Sequence, residues 1–297
     1  MKPLISVITP SYNQGKYIER TIRSVLSQGL RDLEYVVYDG QSTDQTPDIL
    51  RRYEGQLRWV SEKDRGQAHA VNKGISATTG EIIGWLNSDD IYYPQALPVV
   101  LSFFADRPEI DVVYGDADHI DANDEPLEPY YTEDWDYERL KDICYLCQPA
   151  VFLRRRVFED HGLLDETLRY CMDYEYWLRT GDRVQFAYLR SPLAGSRMHP
   201  ESKTLADRVP VHREILDMTK KRLGQPPDRW ILNYAHAVEE RLGFQRSNAL
   251  AFAVAVSAVS WYASLRWNKG LSSSILRTTS SWVRDSARFT VRELLTR

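Results

Sequence analysis

Cysteine is scarce: Cys144, Cys147 and Cys171 are the only three in 297 residues. An odd count at irregular spacing gives no disulfide framework and fits a chain kept in a reducing cytosol. Cys144-Tyr145-Leu146-Cys147 has redox or zinc spacing, but no second Cys/His pair accompanies it, so both read as packed thiols. No secretory signal is visible. Met1-Lys2-Pro3 runs straight into the strand-like Leu4-Ile5-Ser6-Val7-Ile8, too short for a signal core. No Gly-x-Gly-x-x-Gly follows the first strand and no Gly-x-x-x-x-Gly-Lys-Ser/Thr occurs, so neither a standard dinucleotide fold nor a P-loop enzyme is supported. No nucleic-acid reader motif is present. The run from Ala249 to Leu265 is apolar apart from Ser257, Ser260 and Ser264, and falls short of the about 20 residues of a bilayer span. It reads first as a buried helix, with membrane insertion or interfacial contact as the alternative.

The composition is otherwise that of a soluble globular chain, 43% apolar and 27% charged. Net charge is −4, unevenly spread. Residues 246–297 hold eight basic residues, Arg246 and Arg297 among them, against Asp285 and Glu293, a net of +6 that leaves −10 for the rest. Such a tail suggests an anionic partner such as a membrane surface.

Strand and helix patterns alternate four times in the first ninety residues, which implies βαβ units and a parallel sheet with helices on both faces. Each strand ends in polar residues: Ser11, Tyr12 and Asn13; Asp39; Asp64 and Arg65; Asp89 and Asp90. In a parallel sheet those ends share one edge, where ligands bind. The fourth strand, Glu81 to Leu86, stops in Asn87-Ser88-Asp89-Asp90. Adjacent carboxylates repel unless a cation offsets them, and a hard divalent cation bridging to phosphate is the obvious candidate; a solvated turn is the plain alternative. Farther on, strands are expected over 111–114, 117–120, 148–153 and 184–189, helices from Pro94 to Phe104 and Met172 to Thr180, and an irregular connection over 125–142. Arg154-Arg155-Arg156 is expected to open a short helix that Gly162 ends, and Arg197 to Thr204 to form a polar loop.

Together these residues resemble the GT-A-type family 2 glycosyltransferases. The matching segments are Val7-Ile8-Thr9-Pro10-Ser11-Tyr12-Asn13, Tyr38-Asp39-Gly40-Gln41-Ser42-Thr43-Asp44, Asn72-Lys73-Gly74 with Thr79-Gly80-Glu81, Asn87-Ser88-Asp89-Asp90, and Met172-Asp173-Tyr174-Glu175-Tyr176-Trp177-Leu178-Arg179 with His199. Each is weak alone; in order at family spacing they are a strong signal over residues 3–205. The resemblance implies a GT-A domain over 1–205, with a mainly parallel central sheet flanked by helices; it does not extend to residues 206–297, which read from their own pattern as a helical connection (206–245) and a basic helical tail (246–297). It also implies inverting transfer of a sugar from a nucleotide-diphosphate donor to a hydroxyl of a glycan or lipid-linked acceptor in surface polysaccharide synthesis. Carried over, Pro10 and Tyr12 wall the base and Asp39 accepts from its ring N–H. Asp64 and Arg65 lie beside the nucleotide and Asp89 near ribose and sugar. Asp90, with His199, holds Mn2+ or Mg2+, and Asp173 is the general base. A positioned carboxylate suits the last role, since a sugar hydroxyl is a poor nucleophile. Arg197 or Lys203 could reach the diphosphate.

The pattern departs from the family at Tyr38 and Gln41, at Val71 where an Arg is common, and at Met172 where an acid is common. The second reading is a catalytically silent nucleotide-sugar-binding subunit of the same fold. A nucleotidyltransferase should carry a basic glycine-rich loop after the first strand, and Asn13-Gln14-Gly15-Lys16 is too thin for one.

Overall fold

Alternation of strand and helix holds through the first ninety residues: β1 (Ile5–Ser11), α1 (Ile18–Leu26), β2 (Leu33–Asp39), α2 (Thr46–Arg51), β3 (Arg58–Ser61), α3 (Gln67–Ala77) and β4 (Ile82–Trp85). The computed structural model describes residues 4–243 and 249–295. All of β1 is buried, because β2 and β4 flank it in parallel. Two of its three hydroxyl side chains are satisfied: Ser6 donates to Glu34 at 2.8 Å, and Thr9 lies 3.2 Å from the Tyr35 hydroxyl, while Ser11 Oγ at the strand end is buried with no hydrogen-bond partner among the described residues. α1 buries Ile18, Thr21, Ile22 and Val25, one stripe at helical spacing, and leaves Glu19 and Arg23 paired outside at 2.8 Å. α3 packs on β1 and β2. Gly74 allows this, since a Cβ there would stand 2.3 Å from Ile8 Cγ2.

The second half adds β5 (Ile91–Tyr92), α4 (Ala96–Asp106), β6 (Val112–Ile120), β7 (Pro126–Pro129), α5 (Tyr137–Asp142), β8 (Val151–Arg154), α6 (Arg155–His161), α7 (Met172–Thr180) and β9 (Phe186–Arg197). The sheet order is β3-β2-β1-β4-β8-β6-β9-β5, with β7 on β6. It is parallel from β3 to β4 and between β6 and β9; β8 enters antiparallel between β4 and β6.

Four expectations change. Residues 112–114 and 117–120 lie in one strand, β6, which starts one residue after Asp111, because Gly115 and Asp116 are absorbed by register shifts against β9. The stretch 125–142 holds β7 and α5 rather than irregular chain alone. The helix expected from Arg154 opens one residue later, at Arg155, and stops at Gly162 as expected. Arg154 ends β8 and takes that helix's N-cap position, and its buried guanidinium donates to Ile110 O and to Phe104 O, each at 2.8 Å, the latter a carbonyl in the last turn of α4. Arg155 does the same for the end of α3, reaching Ile75 O at 2.8 Å and Gly80 O at 2.7 Å. Arginines here satisfy carbonyls that helix ends leave open. Finally, β9 runs on to Arg197, which is a buried strand residue and not part of a polar loop.

A second compact unit comprises Glu138–Ile143 and the chain from Lys203 on, so the connecting region and basic tail fall in one unit. It contains α8 (Lys203–Ala206), α9 (Arg208–Leu223), α10 (Asp228–Arg241), α11 (Ala249–Trp267) and α12 (Ser273–Leu295). α9 stops at Gly224, whose φ of 83° is left-handed, with Lys220, Lys221 and Arg222 in its last turn facing the negative helix end. α10 packs against α9 and α11, and α11 against α12. Arg246 and Arg297 lie outside the described residues.

Candidate active site

The ends of β1, β2 and β3 are aligned by register, Ser11 opposite Asp39 and Asp39 opposite Ser61. Asp39 is 1% exposed. It accepts from Ser42 N–H at 3.1 Å, from Ser42 Oγ at 2.5 Å and from Ser61 Oγ at 2.5 Å. A carboxylate offers about four acceptor sites, so this one is held rigidly with one left. Beside it, Gly40 keeps a gap open: a Cβ there would be 2.8 Å from Asp64 Oδ2 and 3.4 Å from Tyr12 Cδ2. Tyr12 is 62% exposed, a free aromatic face, whereas Pro10 is buried within β1. Asn13 and Asp44 tie the first loop to the second. Asn13 accepts from Thr43 N–H at 2.9 Å and Asp44 from Gly15 N–H at 2.8 Å. Gln41, the departure in the second motif, sits at φ 63°, a conformation uncommon without glycine.

At the end of β4 the two carboxylates face different surroundings. Asp90 is 4% exposed. Its Oδ1 accepts from Arg197 N–H at 2.8 Å and its Oδ2 from Asn87 Nδ2 at 3.1 Å. Burial and then the Asp89 charge push its carboxyl up to about 8. Asp89 is more open, its side chain 21% exposed, and its Oδ2 lies 3.1 Å from His199 Nε2. Asn87 is the hub of this turn. It donates to Asp90 and Gln148 and accepts from Gln67 at 2.6 Å and Trp85 Nε1 at 2.9 Å.

A family model described as glycosyl transferase family 2 matches residues 6–162, more than half of the chain. The chain belongs to glycosyl transferase family 2. An uncharacterized glycosyltransferase of Rickettsia typhi is 31% identical over 218 residues, 68% of this chain and 66% of that protein. Chondroitin synthase of Escherichia coli is 28% identical over 230 residues, 75% of this chain and 33% of that one. The chain thus spans just under two thirds of the former's length and a third of the latter's. Among solved structures, residues 1–349 of S. aureus TarS in complex with UDP-GlcNAc superpose with a TM-score of 0.61 at 18% identity, over 97% of this chain and 90% of that one. The mannosyltransferase PcManGT from Pyrobaculum calidifontis in complex with GDP-Man and Mn2+ gives 0.59 at 19% identity, over 97% and 85%. The fold is therefore GT-A, as the motif order implies.

The family 2 match ends before α7, which carries Asp173, and before His199, two residues past the end of β9. Asp173 lies in the first turn of α7, half-buried, and accepts from its neighbour Tyr174 N–H at 2.8 Å. Burial pushes the Cys147 thiol up, and the Asp90 and Asp173 carboxylates both add to this, so the two acids lie within electrostatic reach of one buried thiol. Cys144 and Cys147 are packed and free, as their spacing without partners implies. Glu175, two residues on, is 1% exposed and paired with Arg179 at 3.1 Å, a structural acid.

Arg65, expected beside the nucleotide, bonds Glu166 with its guanidinium largely exposed, and Glu166 also accepts from Asn72 at 3.1 Å. Asn72 clamps Leu164 through both ends of its amide at 3.0 Å. Arg197 does not reach out to a diphosphate. Its guanidinium donates to Asp89 O at 2.7 Å, to Asp121 O at 2.5 Å and to Asp124, and lies 5.0 Å over the Tyr17 ring. Tyr17 in turn sits 4.8 Å from His199. The side chain of Lys203 lies outside the described residues.

For a divalent cation the fit is good at Asp89 and His199. Oδ2 and Nε2 are hydrogen-bonded to each other at 3.1 Å; cis ligands at about 2.1 Å from an octahedral ion lie about 3 Å apart, so the two atoms could ligate one ion in place of that bond. Among the described residues no three His, Cys, Asp or Glu side chains gather into a metal cage. Phosphate and water would therefore supply the other positions, the usual pattern for Mg2+.

Proposed function

We propose that this chain transfers a sugar from a nucleotide-diphosphate donor to a hydroxyl of a glycan or lipid-linked acceptor, with inversion, in surface polysaccharide synthesis on the cytosolic side. The convergence of Asp39, Tyr12, Asp64 and the Asp89–His199 pair at one edge of the parallel strands carries this reading. Tyr12 stacks on the base and Asp39 accepts its ring N–H. Asp64 faces the gap that Gly40 leaves, on the ribose side. Asp89 and His199 would hold Mn2+ or Mg2+. Asp90 braces that turn, a change from the role its motif position implies, because its carboxylate is buried and bonded inward to Arg197 N–H and Asn87, whereas that of Asp89 is open. When bound there, a divalent cation would supply charge neutralisation for the leaving diphosphate. Asp173 takes the proton from the acceptor hydroxyl as its oxygen attacks the anomeric carbon and the bond to the diphosphate breaks. The dipole of α7 favours its anionic form.

The test is a panel of nucleotide sugars incubated with the full chain and Mn2+, with free nucleoside diphosphate as readout. One donor class should be cleaved far faster than the others. Absence of release from every donor, with no binding of any nucleotide, would refute the assignment.

A further inference from the structure

α11 is built inside out. Its inward face is mostly small and partly polar: Ala253, Ser257, Ser260, Ala263 and Ser264 are buried, together with Val256 and, at the helix end, Trp267. Ser257 and Ser260 return their hydroxyls to the carbonyls of Ala253 and Val256, at 2.6 and 2.7 Å. Its outward face is bulky and apolar, with Val254, Trp261, Tyr262 and Leu265 at 50, 38, 59 and 63% exposure. With Ala258 these fall on one helical stripe. A surface helix of a soluble domain turns its apolar stripe inward. Small residues at the helix contact and large apolar ones outside is the order found among helices packed in lipid. The helix is 19 residues long with a mean hydropathy of 1.4, and 33% of that stretch is buried.

α12 lies beside the stripe, since Trp261 Nε1 donates to Thr279 Oγ1 at 3.0 Å. Along α12, Leu276, Val283 and Ala287 recur seven and then four residues apart on the line next to Thr279. Arg277, Arg284 and Arg288 follow the same spacing one position round, and all three are exposed. Arg266 and Lys269 are exposed at the end of α11. The result is an apolar strip carrying Trp and Tyr, with arginines beyond it.

We infer that the α11–α12 hairpin docks on an anionic lipid bilayer surface, its apolar strip at the acyl boundary and its arginines among the headgroup phosphates. A second copy of the chain fits less well, because a symmetric pairing sets the same arginines against each other. The inference is independent of the sugar-transfer reading.

Flotation of the full chain with vesicles tests it. The protein should float with phosphatidylcholine vesicles containing phosphatidylglycerol, stay behind with pure phosphatidylcholine, and be released by salt, which screens the headgroup attraction. Tyr262→Ser with Leu265→Ser, and separately Arg277→Glu with Arg284→Glu, should each cut the bound fraction about tenfold, with circular dichroism unchanged. Wild-type protein that fails to float with anionic vesicles overturns the inference without any variant. So does binding that both double variants leave intact. A stable dimer in light scattering that Tyr262→Ser with Leu265→Ser converts to monomer would assign the strip to a second copy and overturn it as well.

Discussion

The backbone N–H of Arg197 donates to Asp90 Oδ1 at 2.8 Å and joins the end of β9 to the turn after β4, 107 residues away in the chain. The same residue's guanidinium holds Asp89 O, Asp121 O and Asp124, and its side chain is fully buried. Asp89 and His199 come from these two segments, so Arg197 fixes their separation. Lysine in its place would keep the charge but could not span three acceptors with one ammonium. Arg197→Lys should raise the Mn2+ concentration needed for nucleotide binding by about 10–100-fold, the range for outer-shell residues of metal sites. Metal-free nucleoside binding should be unchanged. An unaltered Mn2+ titration would show that the link is structural only.

Asp89 and Asp90 should separate cleanly when each is changed to Asn. Asp89→Asn should abolish most of the Mn2+-dependent gain in nucleoside diphosphate affinity, whereas Asp90→Asn should keep most of it. Calorimetry with and without Mn2+ checks both, and the opposite ranking would return the cation to Asp90. Stability gives a second readout. The folded Asp90 carboxyl lies at about 8, above its unfolded value near 3.8. The unfolded chain therefore loses this proton first, and metal-free stability falls as pH rises between those values. Asp90→Asn should flatten that slope in denaturant titrations at pH 4, 6 and 8.

Asp39 should read the base. Asp39→Asn keeps the shape but lets an N–H₂ face the ring N–H. Nucleotide affinity should weaken by about 1.5–3 kcal/mol, the worth of a hydrogen bond to a charged group. A competing nucleotide displaced equally well from mutant and wild type would remove Asp39 from the base pocket.

Much of this fold was legible because β1 to β4 are short apolar runs stopped by polar clusters, and α7 was readable to its last residue, Thr180. The long strands β6 and β9 were not, since Asp116 and Asp118 in one and Ser191-Pro192 in the other break the apolar pattern, and only their mutual pairing sustains them. Nor could the sequence rank Asp89 against Asp90. Neighbouring side chains point apart, and which one turns inward depends on an N–H supplied by β9. Arg197 looked like a loop residue because its bonded partners are 73 to 108 residues away. Gly40, Asn72 and Asn87 stood in the motifs; what they do became readable only as a gap, a clamp and a hub.

Asp173 decides between a transferase and a subunit that only binds donor. A general base acts on the acceptor, so Asp173→Asn should leave donor affinity near wild type while removing the proton acceptor. The transfer rate should fall by about 10²–10⁴-fold, the usual loss for general acid–base catalysis. The loss belongs to the transition state, so kcat should drop while the donor KM moves little, provided KM follows binding. Glu175 is the control. It is buried against Arg179, so Glu175→Gln should lower the melting temperature through the broken pair rather than slow the chemistry selectively. Asp173→Asn with a wild-type transfer rate would mean that another group takes the proton. A wild type that binds a nucleotide sugar tightly, yet transfers to no acceptor and releases no diphosphate, would favour the silent subunit.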